Sequence, residues 1–269
     1  MALPLAALVA AAGLLAAPGV PAAPEDRFPG AGAAYVVAVD GKAVWARAPD
    51  APRAPASLAK LLSALVAADA GEGEAWVRVG ERAAASTGSR IGLRQGEEIR
   101  RDDALAAMLV ASANDACLAL AEAVAGSREA FVARMNRRAA EMGLAGSHFA
   151  DPCGHDAPGQ RVTARDVRTL AEAVLANPAL RAVVARPEVR IETRAGRALA
   201  ARSSNALLGR LPGTDWVKTG YTARAGKCVA AHAVRDGREV LVVLLGAPDR
   251  WWTAAALVER AFAEAPERD

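Results

Sequence analysis

Continuous apolar runs near both ends of the chain predict the strands of a single β-sheet. The run at 33–39 reaches a tight-turn signal, Asp40-Gly41, that leads into a hairpin partner at 42–46. In the last third of the chain, Asp236-Gly237 marks a second turn between two extended segments, and a third extended segment precedes them. The predicted C-terminal strands cover 216–221, 226–235 and 239–245. Strands from both ends indicate one sheet, with the middle of the chain inserted between them.

Helical periodicity fills most of the middle of the chain and returns at its end. The segment 58–70 is apolar on almost every side, which predicts a buried, central helix. Glycine and proline make 76–100 and 143–161 irregular, with short strand-like pieces in the first of these. Apolar positions three and four residues apart predict further helices at 101–124, 129–142, 164–175 and 251–263. No repeat, linker or composition break marks a second domain.

The first 22 residues have the uncharged, apolar pattern of an export signal. The apolar run at 2–17 is short for a membrane span, and Pro18-Gly19 interrupts it. Val20-Pro21-Ala22 then supplies the small residues that a signal peptidase recognises. We therefore predict a signal peptide at 1–22 and one folded domain at 23–269, in the periplasm or another extracytoplasmic space. An uncleaved signal would tether the protein to a membrane.

Composition narrows the classes of function. The 269 residues are 53% hydrophobic with a net charge of +3, which excludes a disordered chain and gives little reason to expect nucleic acid as a partner. Three cysteines are too few for a disulfide framework. Only four of the 33 basic residues are lysines, at positions 42, 60, 218 and 227. Lysine can lose its proton in a protein and arginine cannot, so these lysines are candidates for chemistry.

Ser57-Leu58-Ala59-Lys60 places a hydroxyl and an amine at the start of the predicted buried helix. The i, i+3 spacing puts both on one helix face, one turn apart. A neutral lysine can act as the base for a serine nucleophile, and the N–H groups of a helix N-terminus suit a developing oxyanion. Alone, the pattern is more often an N-cap serine beside a surface lysine. Here the apolar surroundings leave Lys60 little access to water.

Two further motifs follow in the chain. Ser112-Ala113-Asn114, inside or between helices, offers a hydroxyl for proton relay and a carboxamide for a substrate amide, although alone it is typical of a helix cap. Lys218-Thr219-Gly220, on a C-terminal strand, offers a cation, a hydroxyl and a glycine that lets a substrate backbone approach. Alone it is a strand end with a stray lysine. In this order the three motifs match the signature set of penicillin-binding proteins and serine β-lactamases.

The match is colinear over nearly all of the predicted mature chain, and it resembles the D-alanyl-D-alanine carboxypeptidase family of low-molecular-mass penicillin-binding proteins. The segments that carry it are 55–65, 112–122, 129–166, 205–208 and 217–226. The resemblance implies an α+β fold (an α/β sandwich) of the β-lactamase/DD-peptidase type. An antiparallel sheet of about five strands from both termini would be flanked by helices, with an inserted helical lobe. The C-terminal β-rich domain and amphipathic anchor of many relatives are not expected.

The same resemblance implies the catalytic roles. Ser57 would attack the carbonyl between the two terminal D-alanines of a peptidoglycan stem peptide, and neutral Lys60 would accept its proton. Ser112 would pass a proton to the departing D-alanine, and Asn114 would hold the amide on the acyl side. The activity implied is that of a serine-type D-Ala-D-Ala carboxypeptidase.

Substrate binding is implied for the third motif and the residue after it. Lys218 and Thr219 would bind the terminal carboxylate beside Gly220, and the backbone N–H groups of Ser57 and Tyr221 would bind the oxyanion. No metal and no cofactor are implied. β-Lactams are expected to acylate Ser57 as slow-turnover covalent inhibitors.

Three other functions stay open in the sequence. The same motifs support a DD-endopeptidase that cleaves peptidoglycan cross-links. A β-lactamase would need a glutamate for the deacylating water, and Glu172 lies one residue out of register with that motif, on an amphipathic helix. A non-catalytic wall-binding homologue is disfavoured by the intact motifs. The scattered arginines favour at most a general association with anionic wall or membrane surfaces.

Polar residues outside the motifs are expected to be structural. Cys153-Gly154-His155 departs from the family pattern in a loop, which affects the packing of that loop but not the chemistry. His148, Asp151 and His155 lack a convincing set of metal ligands. Cys117 is expected to pack within a helix, and Cys153 and Cys228 are the candidates for a disulfide in an oxidising compartment.

Overall fold

A five-stranded antiparallel sheet organises the fold in the computed structural model, which describes residues 24–71 and 76–265. Its strand order is β2-β1-β9-β8-β7, so the two strands from the N-terminal part lie beside the three from the C-terminal part. The predicted sheet built from both termini is confirmed. The predicted signal peptide at 1–22 lies outside the described residues. The strands are β1 Ala34–Val39, β2 Lys42–Arg47, β7 Thr214–Thr222, β8 Gly226–Arg235 and β9 Arg238–Ala247.

Both faces of this sheet are covered, which explains why its central strands are apolar at consecutive positions. In β1, Ala34 and Val36 pack into the core on the side of the inserted helices. Tyr35 and Val37 point to the opposite side. There they pack with the buried face of the C-terminal helix α8, Arg250–Glu264. A strand buried on two sides therefore favours apolar residues at consecutive positions.

The inserted lobe consists of helices and short strands. A 3-10 turn at Ala56–Ala59 leads directly into α1, which is buried along its length from Lys60 to Ala67 and confirms the predicted central helix. The longer helices are α1 Lys60–Asp69, α3 Arg101–Val110, α4 Asn114–Ala125, α5 Arg128–Glu141 and α6 Ala164–Ala176. The shorter elements are β3 Trp76–Arg78, α2 Glu81–Ala84, β4 Glu98–Arg100, α7 Pro178–Val184, β5 Glu188–Glu192 and β6 Ala198–Arg202.

The prediction of one helix over 101–124 is wrong at its centre, because α3 and α4 are separated by three residues. Ser112 has φ +58°, a left-handed conformation that an α-helix does not accept. The Asn114 amide then donates to the Ser89 carbonyl, outside the helix. Residues i and i+2 of a continuous helix do not share a face. The break therefore allows Ser112 and Asn114 to serve one cleft.

Cys153 does not pair with Cys228, the candidate partner in the sequence. Cys117 on α4 and Cys153 in the loop after α5 form a disulfide, with their Cα atoms 5.9 Å apart. Cys228 on β8 is a buried free thiol whose Sγ contacts the Ala225 carbonyl. The sequence does not give the distances between cysteines on different elements. The packing of α4 against the loop brings Cys117 and Cys153 within the distance that a disulfide requires.

Within residues 24–71 and 76–265, no helix is long and apolar enough to cross a membrane. The same residues contain no group of three or more histidine, cysteine, aspartate or glutamate side chains placed to hold a metal ion.

Candidate active site

The Lys60 amine is the centre of a buried hydrogen-bond group that joins the first two motifs. Lys60 is the first residue of α1 and its side chain is fully buried. Its Nζ lies 3.0 Å from Ser57 Oγ, 2.6 Å from Asn114 Oδ1 and 2.6 Å from the Cys153 carbonyl oxygen. The i, i+3 spacing of Ser57 and Lys60 thus has the predicted result, and the break between α3 and α4 brings in Asn114.

The partners of Lys60 determine how a neutral amine would be oriented. A neutral amine has two N–H bonds and one lone pair, whereas an ammonium group has three N–H bonds and none. The Asn114 and Cys153 oxygens can only accept hydrogen bonds, so they take both N–H bonds of the neutral form. The lone pair is then left facing the Ser57 hydroxyl, which is the arrangement that a base requires.

Burial makes the neutral form of Lys60 accessible. Removal from water lowers the pKa of Lys60 from 10.5 to about 7, against the opposing negative charges of Asp151 and Asp115. A substantial fraction of the side chain is therefore neutral at physiological pH. The cause is the one expected from the apolar pattern of 58–70.

A second hydrogen-bond group joins the second motif to the third. Lys218 is fully buried on β7, and its Nζ lies 2.8 Å from Ser112 Oγ and 3.2 Å from the Thr219 carbonyl oxygen. Burial, followed by the positive charges of Lys60 and Arg250, lowers the pKa of Lys218 well below its ordinary value. The positive charge of one lysine therefore disfavours the charged form of the other. Both can be charged at once only at a cost in free energy, unless an anion binds beside them.

Strand β7 approaches the nucleophile so closely that only glycine fits at position 220. A Cβ atom on Gly220 would lie 2.7 Å from the Ala56 Cβ and 2.8 Å from the Ser57 backbone nitrogen. The expected role of this glycine was to give a substrate backbone access to the strand. The space beside it is instead occupied by the 3-10 turn that carries Ser57.

A second glycine holds the other side of that turn. Gly154 has φ +90°, and a Cβ atom there would lie 1.8 Å from the Ala56 carbonyl oxygen. Ala56 itself has φ +47°, an unusual conformation for a residue with a side chain. The turn before Ser57 is therefore clamped between the loop at 153–155 and β7.

The two remaining residues of the predicted binding set lie on β7 as well. The Thr219 hydroxyl is buried and lies 3.2 Å from the hydroxyl of Ser204. The Tyr221 side chain is 67% exposed, and Tyr221 follows Gly220 directly on β7. Six of the eight predicted site residues thus lie in two hydrogen-bond groups, Ser57, Lys60 and Asn114 in one and Ser112, Lys218 and Thr219 in the other. Gly220 joins them through its contact with the turn that carries Ser57.

The loop at 151–155 positions one of the hydrogen-bond partners of Lys60, the Cys153 carbonyl. Burial opposes the ionisation of Asp151, but hydrogen bonds from the His155 side chain and backbone, together with the charges of His155 and Arg128, lower its pKa to about 2. Asp151 Oδ1 also accepts from the Cys153 amide at 2.9 Å. This carboxylate therefore shapes the loop whose Cys153 carbonyl contacts Lys60.

Two groups of the candidate active site cannot be recognised from the sequence. The Cys153 carbonyl is a backbone group, and only the tertiary structure shows that it faces Lys60. Arg250, at the start of α8, donates from Nη1 to the Gly220 carbonyl oxygen at 2.8 Å. It adds a positive charge behind the third motif. Among so many arginines, nothing in the pattern distinguishes it.

A family model and two curated proteins that match this chain carry the same description. The family model described as D-alanyl-D-alanine carboxypeptidase matches residues 24–249. D-alanyl-D-alanine carboxypeptidase DacF of Bacillus subtilis is 33% identical over 212 residues, which are 77% of this chain and 54% of that protein. D-alanyl-D-alanine carboxypeptidase DacB2 of Mycobacterium tuberculosis is 31% identical over 235 residues, which are 84% of this chain and 80% of that protein. The chain thus spans about half the length of the first relative and four-fifths of the second.

A solved structure shows the same fold. The crystal structure of a D-alanyl-D-alanine carboxypeptidase from Mycobacterium tuberculosis H37Rv superposes with a TM-score of 0.81 at 28% identity. The superposition covers 94% of this chain and 96% of that one. The predicted α+β fold of the β-lactamase/DD-peptidase type is confirmed.

Proposed function

Because the chain belongs to the D-alanyl-D-alanine carboxypeptidase family, we propose that it removes the terminal D-alanine from peptidoglycan stem peptides through an acyl-enzyme on Ser57. One observation carries the proposal: Lys60 Nζ lies 3.0 Å from Ser57 Oγ, and its two other partners are oxygens that can only accept hydrogen bonds. In the neutral form of Lys60 these oxygens would take both N–H bonds and leave the lone pair for Ser57. A serine hydroxyl at its ordinary pKa needs such a base to become a nucleophile.

In the acylation step, Ser57 Oγ attacks the carbonyl carbon between the two terminal D-alanines. Its proton moves to Lys60 Nζ as the new C–O bond forms. The backbone N–H groups of Ser57 and Tyr221 are proposed to donate to the oxyanion. The tight contact of Gly220 with the Ser57 turn supports this, because it brings the two backbone segments side by side.

Breakdown of the tetrahedral intermediate needs a proton on the leaving nitrogen. Ser112 is proposed to deliver it, with its own hydroxyl held by Lys218 Nζ at 2.8 Å. Ser112 gives its hydroxyl proton to this nitrogen as the C–N bond breaks. It is then proposed to take a replacement proton from Lys60, which returns the lysine to its neutral form. Asn114 is proposed to hold the amide on the acyl side, two residues from the relay.

The carboxylate of the leaving D-alanine is proposed to bind Lys218 and the Thr219 hydroxyl. Both groups are buried, so they meet the carboxylate away from competing water. A bound carboxylate also stabilises the charged form of Lys218. The nearby positive charge then favours the neutral form of Lys60 at the moment when a base is needed.

Water completes the cycle by attacking the ester carbonyl. It gives one proton to Lys60, and Ser57 Oγ recovers a proton as the acyl group leaves. β-Lactams resemble the terminal dipeptide, and we propose that they acylate Ser57 and are released slowly. The β-lactamase alternative receives no support from Glu172, because its carboxylate on α6 pairs with Arg168 at 2.7 Å.

An exported location is part of the proposal. The apolar pattern at 1–22 supports it, and so does the Cys117–Cys153 disulfide, because such bonds persist in oxidising compartments. The catalytic unit is proposed to begin after the signal, at residue 23. Peptidoglycan is reached in the periplasm or an equivalent extracytoplasmic space.

The proposal is tested by incubating the purified protein with a stem pentapeptide and, separately, with cross-linked peptide dimers. Mass spectrometry should show a tetrapeptide and free D-alanine from the first substrate, and Ser57→Ala should abolish both. Cleavage of the dimers with an intact pentapeptide would assign an endopeptidase instead. No product from either substrate would contradict the proposal.

A further inference from the structure

The imidazole ring of His155 joins the catalytic carboxamide to a buried carboxylate. Its Nε2 lies 3.1 Å from Asn114 Nδ2, and its Nδ1 lies 3.2 Å from Asp151 Oδ1. Neither the proposed acylation nor the proposed proton relay uses the ring.

The orientation of the Asn114 amide is fixed by its other partners. Its Oδ1 accepts from Lys60 Nζ at 2.6 Å, and its Nδ2 donates to the Thr87 carbonyl at 2.5 Å. A flipped amide would place N–H groups against Lys60 and an oxygen against another oxygen at Thr87. The second N–H bond of Nδ2 is therefore the one that faces His155.

The amide orientation determines where the ring carries its proton. A nitrogen that accepts a hydrogen bond has a free lone pair, so Nε2 is unprotonated when it accepts from Asn114. The ring proton is then on Nδ1, where it is donated to Asp151. The resulting series runs from Asp151 through neutral His155 and Asn114 to Lys60, with each donor facing an acceptor.

We propose that His155 is a positioning residue that holds the Asn114 amide against Lys60 only while its imidazole ring is neutral. The inference rests on the proposed acylation of Ser57, because it concerns the base of that step. It assigns a pH-responsive role to the loop at 153–155.

Protonation would break the series at a defined atom. A proton taken from solvent bonds to Nε2 and uses the lone pair that accepted from Asn114. The new N–H group then faces the Asn114 NH2 group, and the Thr87 carbonyl, which lies close to both, becomes its alternative acceptor. Asn114 would lose both partners of its NH2 group, and its hold on Lys60 would loosen.

The charged groups around the ring come from several elements. The Asp151 carboxylate, itself paired with Arg128 of α5, faces Nδ1, and the Lys60 amine of α1 lies beyond Asn114. The hydrogen bond to Asp151 raises the pKa of His155 above 6.5, although desolvation and the Lys60 charge oppose it. The ring therefore takes up its proton at a higher pH than an unperturbed imidazole does.

The test measures the second-order rate constant for acylation by a fluorescent penicillin between pH 5 and 9. Variants are His155→Leu, which neither accepts nor titrates, and His155→Gln, whose oxygen can accept from Asn114 but does not titrate. His148→Gln is the matched control, because His148 is an exposed histidine on the same loop. Thermal unfolding of each variant shows whether it folds.

The proposal predicts three results. Below neutrality, the logarithm of the wild-type rate should fall with a slope steeper than one, whereas both His155 variants should fall with a slope of one. At high pH, His155→Leu should be about fivefold slower than wild type because one hydrogen bond is lost, and His155→Gln should recover most of that loss. His148→Gln should match wild type.

A second readout does not depend on activity. In ¹⁵N-labelled protein, the neutral ring of His155 should carry its proton on Nδ1. A proton on Nε2 would overturn the proposal, and so would a wild-type slope equal to that of His155→Gln, or a His155→Gln no faster than His155→Leu. Absence of any acylation in the wild type would instead overturn the proposed function, while the tautomer still reports on His155.

Discussion

The amine of Lys60 lies 3.0 Å from the hydroxyl oxygen of Ser57, and its other two partners are oxygens that can only accept hydrogen bonds. This relationship gives the neutral amine one orientation, with its lone pair on the nucleophile. It also explains why a lysine occupies the position in a chain that otherwise uses arginine. An arginine side chain stays charged and has no lone pair to offer.

The pH dependence of acylation should follow the protonation of Lys60. Its pKa in the folded protein is about 7, and only the neutral form can accept the Ser57 proton. The acylation rate should therefore rise at least tenfold per pH unit at acidic pH and level off above about pH 7. Stopped-flow measurement with a fluorescent penicillin checks this. A flat profile from pH 5 to 9, or a rise that continues to pH 10, would contradict it.

Replacement of Lys60 by arginine should separate charge from basicity. Lys60→Arg keeps the positive charge but cannot become neutral, so the acylation rate should fall by about 10²–10⁴-fold. Lys60→Met, of similar length and without charge, should lose as much. Circular dichroism and thermal unfolding identify any variant that fails to fold. A folded Lys60→Met with near wild-type acylation would rule out Lys60 as the base.

A methyl group at position 220 should push the third motif away from the nucleophile. Gly220→Ala places its Cβ 2.7 Å from Ala56 and 2.8 Å from the Ser57 nitrogen, so we expect a loss of about 1–3 kcal/mol in the free energy of unfolding and slower acylation. Gly30→Ala is the control, because its Cβ would meet no atom within 4 Å and its φ is ordinary. Equal stability and rates for both variants would refute the close contact.

The disulfide predicts both a thiol count and a stability difference. Unfolded but unreduced protein should show one reactive thiol, that of Cys228, and reduced protein should show three. Because the bond closes a loop of 36 residues, Cys117→Ala with Cys153→Ala should lower the free energy of unfolding by about 3–4 kcal/mol. A Cys153–Cys228 peptide in a non-reducing digest would show that the assigned pair is wrong.

Much of the fold follows from patterns that are local in the chain. The strands β1 and β9 are recognisable because burial on both faces makes them apolar throughout, and α1 is recognisable for the same reason. Two missed elements also carried local signals. Asn177-Pro178 caps and opens α7, with the Asn177 side chain accepting from the Leu180 amide, and β5 alternates exposed and buried residues.

The sequence predicts those groups of the site that are side chains of the three motifs. The Ser57–Lys60 contact follows from helical spacing alone. The Cys153 carbonyl, the Arg250 contact with Gly220 and the pairing of Cys117 depend on packing between elements far apart in the chain. The same is true of His155, whose importance arises from a distance to Asn114 and not from any pattern around it.

The most direct test of the account is the identity of the residue that a penicillin acylates. Purified protein is incubated with the antibiotic, digested with a protease and mapped by mass spectrometry. We predict one adduct, on the peptide that contains Ser57, with no adduct in Ser57→Ala and strongly delayed formation in Lys60→Arg. An adduct that survives Ser57→Ala, or no adduct on the folded wild-type protein, would contradict the assignment of Ser57 as the nucleophile.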